Sequence, residues 1–278
     1  MPPPMLVLRG IEEWRSHDLR KLTDVEIDAK LSAFLDSLGE FVLSRKKKTF
    51  KCLWRIRKLE YLIKDESELW EPPEHKTRMG RCNAERHPIL YTSEKLKTPF
   101  EELAIKPDEF VYLIKYNLKS PLNLHNLISS ENELDQKGTR LFDTTSLISY
   151  RILREFVRSE FLKPVGIGTE YLHRISASMS RVWFDADDID GWLYPSVYSV
   201  TDMNIALKPQ IARKKLEVAA VRITKMVDKK SVLKSGRVLD ATQPVFNLMK
   251  MVIQSDFKGE LKKDGIFWYP CNELGGDF

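Results

Sequence analysis

The apolar positions change period several times along the chain, and each change marks a predicted element. Thr23 and Glu26 stand at capping-box spacing, and Ile27, Leu31, Phe34, Leu35, Leu38, Phe41 and Val42 then recur at helical intervals. This predicts an amphipathic helix ending near Leu43, preceded by an arm over residues 1 to about 22 in which prolines and charges mix. From residue 49 to 58 the period drops to two. Phe50, Cys52, Trp54 and Ile56 alternate with Lys51, Leu53, Arg55 and Arg57, the pattern of a half-buried strand. The run Arg45, Lys46, Lys47, Lys48 between these elements reads as a solvated linker.

Residues 78 to 103, RMGRCNAERHPILYTSEKLKTPFEEL, offer a glycine-arginine turn, a short apolar strand ending in Tyr91, and the first turns of a helix bearing Glu101 and Glu102. Residues 110 to 118 read as a buried strand. Residues 119 to 143 are polar and turn-rich and receive no element. Helical spacing returns at Leu147, Ile148, Ile152, Leu153, Phe156 and Phe161 and stops near Pro164, and a second helix is predicted over residues 169 to 181. Residues 184 to 209 read as a turn, a strand, a loop and another strand. Residues 216 to 224 alternate again, and an aromatic run follows at Phe267, Trp268 and Tyr269. The sum is a mixed α/β (α+β) chain. It divides into an arm and helix over 1–48, a main domain over 49–210, and a β-rich extension over 211–278 packed on the same domain.

Composition narrows the classes. With 42% hydrophobic residues, 13 Phe, 9 Tyr and 6 Trp in 278 residues, the chain can bury a large core. Its 45 basic residues nearly balance 40 acidic ones, a net of +5, which argues against a nucleic-acid binder and leaves room for a small anionic ligand. Cys52, Cys82 and Cys271 suggest neither a disulfide framework nor a metal knuckle, as expected in a reducing compartment. No charged n-region opens the chain, and no run approaches the roughly 18 to 20 apolar residues of a membrane span. A cytoplasmic protein with no membrane partner is expected.

Several motifs fail on inspection. Gly166, Ile167, Gly168 completes no phosphate-loop signature. The Asp185, Asp187, Asp188, Asp190 cluster has Ile189 at the fifth loop position, where a calcium loop needs an oxygen ligand, and Ser196 at the twelfth, where it needs a bidentate glutamate. The five histidines never pair at HxxxH spacing, and no serine sits in a GxSxG elbow.

Three pieces remain: Arg55 on the predicted strand, the unit from Gly80 to Glu102, and the Tyr194, Pro195, Ser196 turn with Asn204 after it. In order and character they resemble the RES domain family, named for its Arg, Glu and Ser residues. The resemblance rests on WRIR at 54–57, GRCN at 80–83, PILYTSEKLKTPFEE at 88–102 and DGWLYPSVYSVTDMNIAL at 190–207, with Tyr91 and Glu102 eleven positions apart. It implies an ADP-ribosyltransferase-like fold of mixed β-sheets flanked by helices. The implied activity is attack on NAD+ with release of nicotinamide, by hydrolysis or phosphorolysis, in the toxin of a toxin-antitoxin or defence system. The implied partners are NAD+, phosphate as an acceptor and an antitoxin protein, with self-association left open. By motif position Glu102, Arg81 and Ser196 become catalytic candidates, and Arg55, Tyr91 and Asn204 binding candidates. Glu101 is the neighbouring alternative to Glu102; spacing from Tyr91 favours Glu102. Set beside compact members of the family, residues 119 to 143 imply an insertion that covers the pocket or binds a partner.

The residue types suit this chemistry. Nicotinamide in NAD+ is cationic and departs neutral, so the difficulty is the positive charge that develops on the ribose. Glu102 could stabilise that charge, Arg55 and Arg81 could clamp the diphosphate, Tyr91 could stack on a ring, and Ser196 and Asn204 could supply neutral hydrogen bonds. The scheme calls for no metal. Two other readings stay open: ADP-ribosyl transfer to a macromolecule, and a non-catalytic binding module using the basic stretches 45–48 and 213–215.

Overall fold

The computed structural model describes residues 1–38, 44–127, 143–166, 168–199, 201–228, 245–246 and 251–270. A large mixed sheet contains β1 (Ser44–Lys48), β2 (Leu53–Arg57), β3 (Leu90–Ser93), β4 (Val111–Leu118), β5 (Leu122–Asn126), β6 (Gly191–Pro195), β7 (Met203–Leu207), β8 (Leu216–Asp228), β10 (Met251–Lys262) and β11 (Gly265–Pro270). Their order is β1-β5-β6-β7-β3-β2-β4-β8-β10-β11, with β9 (Val245–Phe246) paired to β10. The pairs are antiparallel except β5 with β6, which run parallel. A parallel pair needs a crossover, and α4 (Thr144–Leu162) and α5 (Arg174–Val182) lie in it. Helices beside a mixed sheet make this an α/β fold.

Alternation along the strands sorts the side chains onto two faces. Leu53, Leu90, Ile114, Leu193, Ile205 and Leu207 enter one core with Phe50, Leu69 and Trp70. On the other face, Tyr91, Trp192, Tyr194 and Ala206 pack under a helical layer of α1 (Pro4–Ser16), α2 (Asp24–Leu38), α4 and α5. Further along, Trp54, Ile56 and Leu113 close over Phe100 of the short helix α3 (Lys97–Glu102). Burying that ring contributes roughly 2–3 kcal/mol and seats α3 on the sheet.

The helical layer is pinned by polar ties. The Thr23–Glu26 capping box forms, with Glu26 N to Thr23 Oγ1 at 3.2 Å and Thr23 N to Glu26 Oε2 at 2.7 Å. Arg174 Nε donates to Asp24 at 2.8 Å, Arg181 Nη2 to Asp28 at 2.7 Å, and Trp183 Nε1 to the Leu31 carbonyl at 2.9 Å, joining α5 to α2. Asp143 caps α4, accepting from Ser146 N at 2.9 Å.

Several sequence expectations are corrected. Residues 1 to 22 are not an arm throughout: α1 begins at Pro4, where a fixed φ suits the first helical turn, and it buries Val7, Ile11 and Trp14. The α2 assignment ends at Leu38, and residues 39–43 lie outside the described residues. Residues 45–48 are not a linker but belong to β1, which pairs with β5 from Ser44 opposite Asn126 to Lys48 opposite Leu122. A charged edge strand of this kind carries no apolar alternation to betray it. The stretch 119–143 therefore holds a strand, β5, and residues 128–142 of the proposed insertion lie outside the described residues. The helix expected over 169–181 is split into a 3₁₀ turn, Glu170–His173, and α5. Among the described residues no helix is long and apolar enough to cross a membrane.

Candidate active site

The site grows from the GRCN turn. Gly80 and Asn83 bond each other through both main-chain pairs, with Gly80 N to Asn83 O at 3.0 Å. The Tyr91 hydroxyl reaches into this turn from β3, donating to Asn83 Oδ1 at 2.7 Å and accepting from Cys82 N at 2.8 Å. Gly80 makes the approach possible, since a Cβ there would meet Asn83 Oδ1 at 2.6 Å and Tyr91 Oη at 2.8 Å. Asn83 is held in turn, its Nδ2 donating to the carbonyls of Arg78 at 2.9 Å and Ala84 at 2.7 Å. Burial drives the Tyr91 hydroxyl well above its ordinary pKa, with Cys82 adding to the shift, so it acts as a neutral phenol.

Arg81, at the tip of this turn, is aimed by the end of α4. Its Nη1 donates to the Phe161 carbonyl at 2.7 Å and the Lys163 carbonyl at 3.0 Å, the acceptors that a helix leaves unmet at its C-terminus. The guanidinium lies close enough to Tyr91, Tyr194, Cys82 and His173 to act electrostatically on each.

Glu102 closes the last turn of α3 and is met by Asn204 of β7, whose Nδ2 donates to Glu102 Oε1 at 2.6 Å. Asn204 cannot flip without loss, because its Oδ1 accepts from Ser93 Oγ, also at 2.6 Å. Ser93 and Tyr194 both stand opposite Asn204 in the sheet register, one on β3 and one on β6, so the three side chains share a face. Tyr194 ties the two halves together: burial, then Cys82, Tyr91 and Glu102, raise its hydroxyl pKa, and Arg81 opposes them. Carboxylate, cation and two neutral tyrosines thus form one cluster. It is suited to holding an electron-poor ring next to a negative charge.

Ser196 lies two positions beyond Tyr194, where the β6–β7 pairing continues to Asp202, and Arg55 lies on the other face of the sheet. Ser196 is fully buried; its main-chain N donates to Asp202 O at 2.7 Å and its Oγ accepts from Tyr198 N at 3.3 Å, so it shapes the β6–β7 loop. Asp202, 1% exposed, holds that loop to the approach of α3 by pairing with Lys95 and with Lys97 at 3.0 Å. Burial alone would raise this carboxyl, but the two ammonium groups together keep it below the usual range. Arg55 points away from Glu102. It stands opposite Ile114, a residue of the core on the other face, and donates to the main-chain oxygens of Leu69, at 3.0 Å, and Trp70. Glu101, one helical position from Glu102, points about 100° away from it.

His173 was not among the sequence candidates. Its buried Nδ1 has no hydrogen-bond partner among the described residues, and burial first, then the positive charges of Arg81 and Lys163, push its pKa from 6.5 to about 4 against the pull of Glu170. The unfolded chain therefore binds this proton at a higher pH than the folded one, and stability falls as pH drops from 6.5 toward 4. Allowing for its partial exposure, the loss is about 2 kcal/mol. In thermal unfolding at neutral pH and near pH 4.5, His173→Gln should lose less than the unsubstituted protein; equal losses would clear His173 of this role.

Asn83, Ser93 and Tyr194 also escaped notice as functional residues. Ser93 lies two positions after Tyr91 and Tyr194 two before Ser196, spacings that put each pair on one strand face, and Asn83 closes the four-residue turn that Gly80 opens. Nothing in the sequence singles out His173.

A family model described as RES domain matches residues 52–226, which contain every residue of this cluster. No curated protein and no solved structure matches the chain. With well over half its length under that model, and the turn, strand and helix of the predicted motif folded into one cluster, the chain belongs to the RES domain family.

Proposed function

We propose that the chain consumes NAD+, cleaving the bond between nicotinamide and ribose and passing the ADP-ribosyl group to water or phosphate. The carrying observation is the Glu102 carboxylate held at 2.6 Å by Asn204, in the same cluster as Arg81, Tyr91 and Tyr194. Nicotinamide leaves as a neutral base and takes the bonding electron pair, so no acid is needed to protonate it. The charge that remains on the ribose is what Glu102 faces. Arg81 meets the diphosphate, and the tyrosines line the ring's place as neutral, polarisable faces. Arg55 then supports the 66–70 segment rather than the substrate. The acceptor's oxygen attacks the opposite side of the sugar and loses its proton to solvent. Loss of NAD+ harms any cell, and a toxin or defence role with a restraining antitoxin accords with this chemistry.

Purified protein incubated with NAD+, with and without inorganic phosphate, should release nicotinamide, and the mass of the second product identifies the acceptor. ADP-ribose left covalently on protein would instead favour macromolecular transfer. Intact NAD+ under both conditions would overturn the reading.

A further inference from the structure

The helices α1 and α2 do not close on each other along their outer flank. Between them lies a groove of about 430 Å³, wholly within residues 6–37 and so outside the family match. Its volume is within the range of small-molecule sites. Its floor is the partly buried Phe34, with Trp14, 4% exposed, beneath it in the core and the exposed Leu6 at the rim. The floor is rigid, because Phe34 packs edge-on against Phe156 with centroids 6.4 Å apart and lies 6.2 Å from Trp183. The two walls each bear a cation, Arg9 on α1 and Lys30 on α2, and neither makes an ion pair among the described residues. Glu26, one turn before Lys30, is bound instead to Thr23. Glu13 is the acidic residue of the lining, with His17 beside it.

Phe34 between two cations selects on two counts: a flat apolar body for its ring, and an anionic group for Arg9 and Lys30. We propose that this groove binds a small aromatic anion, a ring system carrying one carboxylate, sulfonate or phosphate. The site is separate from the Glu102 cluster and does not depend on the reaction proposed there. The ring lies over Phe34, and the anion bridges the two helices.

The test uses the full chain and 8-anilinonaphthalene-1-sulfonate, whose fluorescence rises on transfer from water to an apolar site, with the uncharged N-phenyl-1-naphthylamine as its counterpart. The expected result is saturable binding of one sulfonate dye per chain and weaker binding of the neutral amine. Two variants separate charge from shape. Arg9→Ser with Lys30→Ser, both exposed positions, should weaken the sulfonate about tenfold and leave the amine unchanged, since two exposed charge contacts are lost. Ala33→Trp, also exposed, should fill the groove and abolish saturable binding of both. Equal affinity for sulfonate and amine, unchanged sulfonate binding in either variant, or no saturable binding by the unsubstituted chain would each overturn the proposal.

Discussion

Glu102→Ala should lower nicotinamide release from NAD+ by about a hundred- to a thousand-fold, the usual cost of removing a group aimed at charge that exists only in the transition state. Binding of NAD+ itself should change little, because the ground state carries its positive charge on the nicotinamide ring rather than on the ribose. The loss should therefore fall on kcat and not on KM. Glu102→Gln sharpens the test. A glutamine keeps an oxygen for the Asn204 Nδ2, now 2.6 Å from Glu102 Oε1, but carries no charge. If its rate falls as far as that of alanine, charge is what Glu102 supplies; if it retains most of the rate, the carboxylate serves mainly to hold geometry. Equal rates in the unsubstituted protein and Glu102→Ala would remove Glu102 from the mechanism. Glu102 is partly exposed at the end of a short helix, so both variants should keep the thermal transition of the parent.

Gly191→Ala should be the most disruptive single methyl in the sheet. A Cβ at Gly191 would sit 2.0 Å from the Ala206 carbonyl oxygen and 3.0 Å from the Leu207 Cα, both main-chain atoms of the paired strand β7. A side chain can rotate out of such a clash, but a strand can only move apart. The cost should be about 3 kcal/mol or more, a fall of roughly 6 to 12 °C in Tm for a chain of this size. The damage reaches the site as well, since β6 and β7 carry Tyr194 and Asn204 opposite each other. Calorimetry on the purified variant reads the first effect, and NAD+ turnover below the transition reads the second. An unchanged Tm would mean that the strands already stand further apart at Gly191.

Much of the site was written in local sequence. The turn at Gly80, the strand through Tyr91 and the helix carrying Glu102 are neighbours along the chain, and each rests on short-range rules of turn chemistry and period. The partner of Glu102 is distant along the chain, but Asn204 lies within one of the matched blocks. The orientation of Arg55 was not so accessible. Alternation alone puts Arg55 and Trp54 on opposite faces, but which face belongs to the site depends on Trp54 standing opposite Ser93, a register between strands thirty-nine residues apart. The N-terminal helix was obscured by its prolines, which look like a break and here serve as a start. Strand β1 was obscured by its run of charges, which leaves no apolar alternation to read. His173 gains its character from Arg81 and Lys163, brought to it by tertiary structure alone.

The strand order also dictates when this protein can become whole as it leaves the ribosome. β1 pairs with β5, and β3, β2 and β4 pair among themselves, all from the first 126 residues, yet no described pairing joins these two fragments until β6 and β7 arrive at residues 191–207. At a synthesis rate of about 5–20 residues per second the two fragments wait several seconds for that hairpin. During the wait the carboxylate of Glu102 has no Asn204 to hold it. The Glu102 cluster is consequently completed only once residue 207 has been made, and a product truncated before the hairpin would carry the helix with Glu102 but neither Asn204 nor Tyr194.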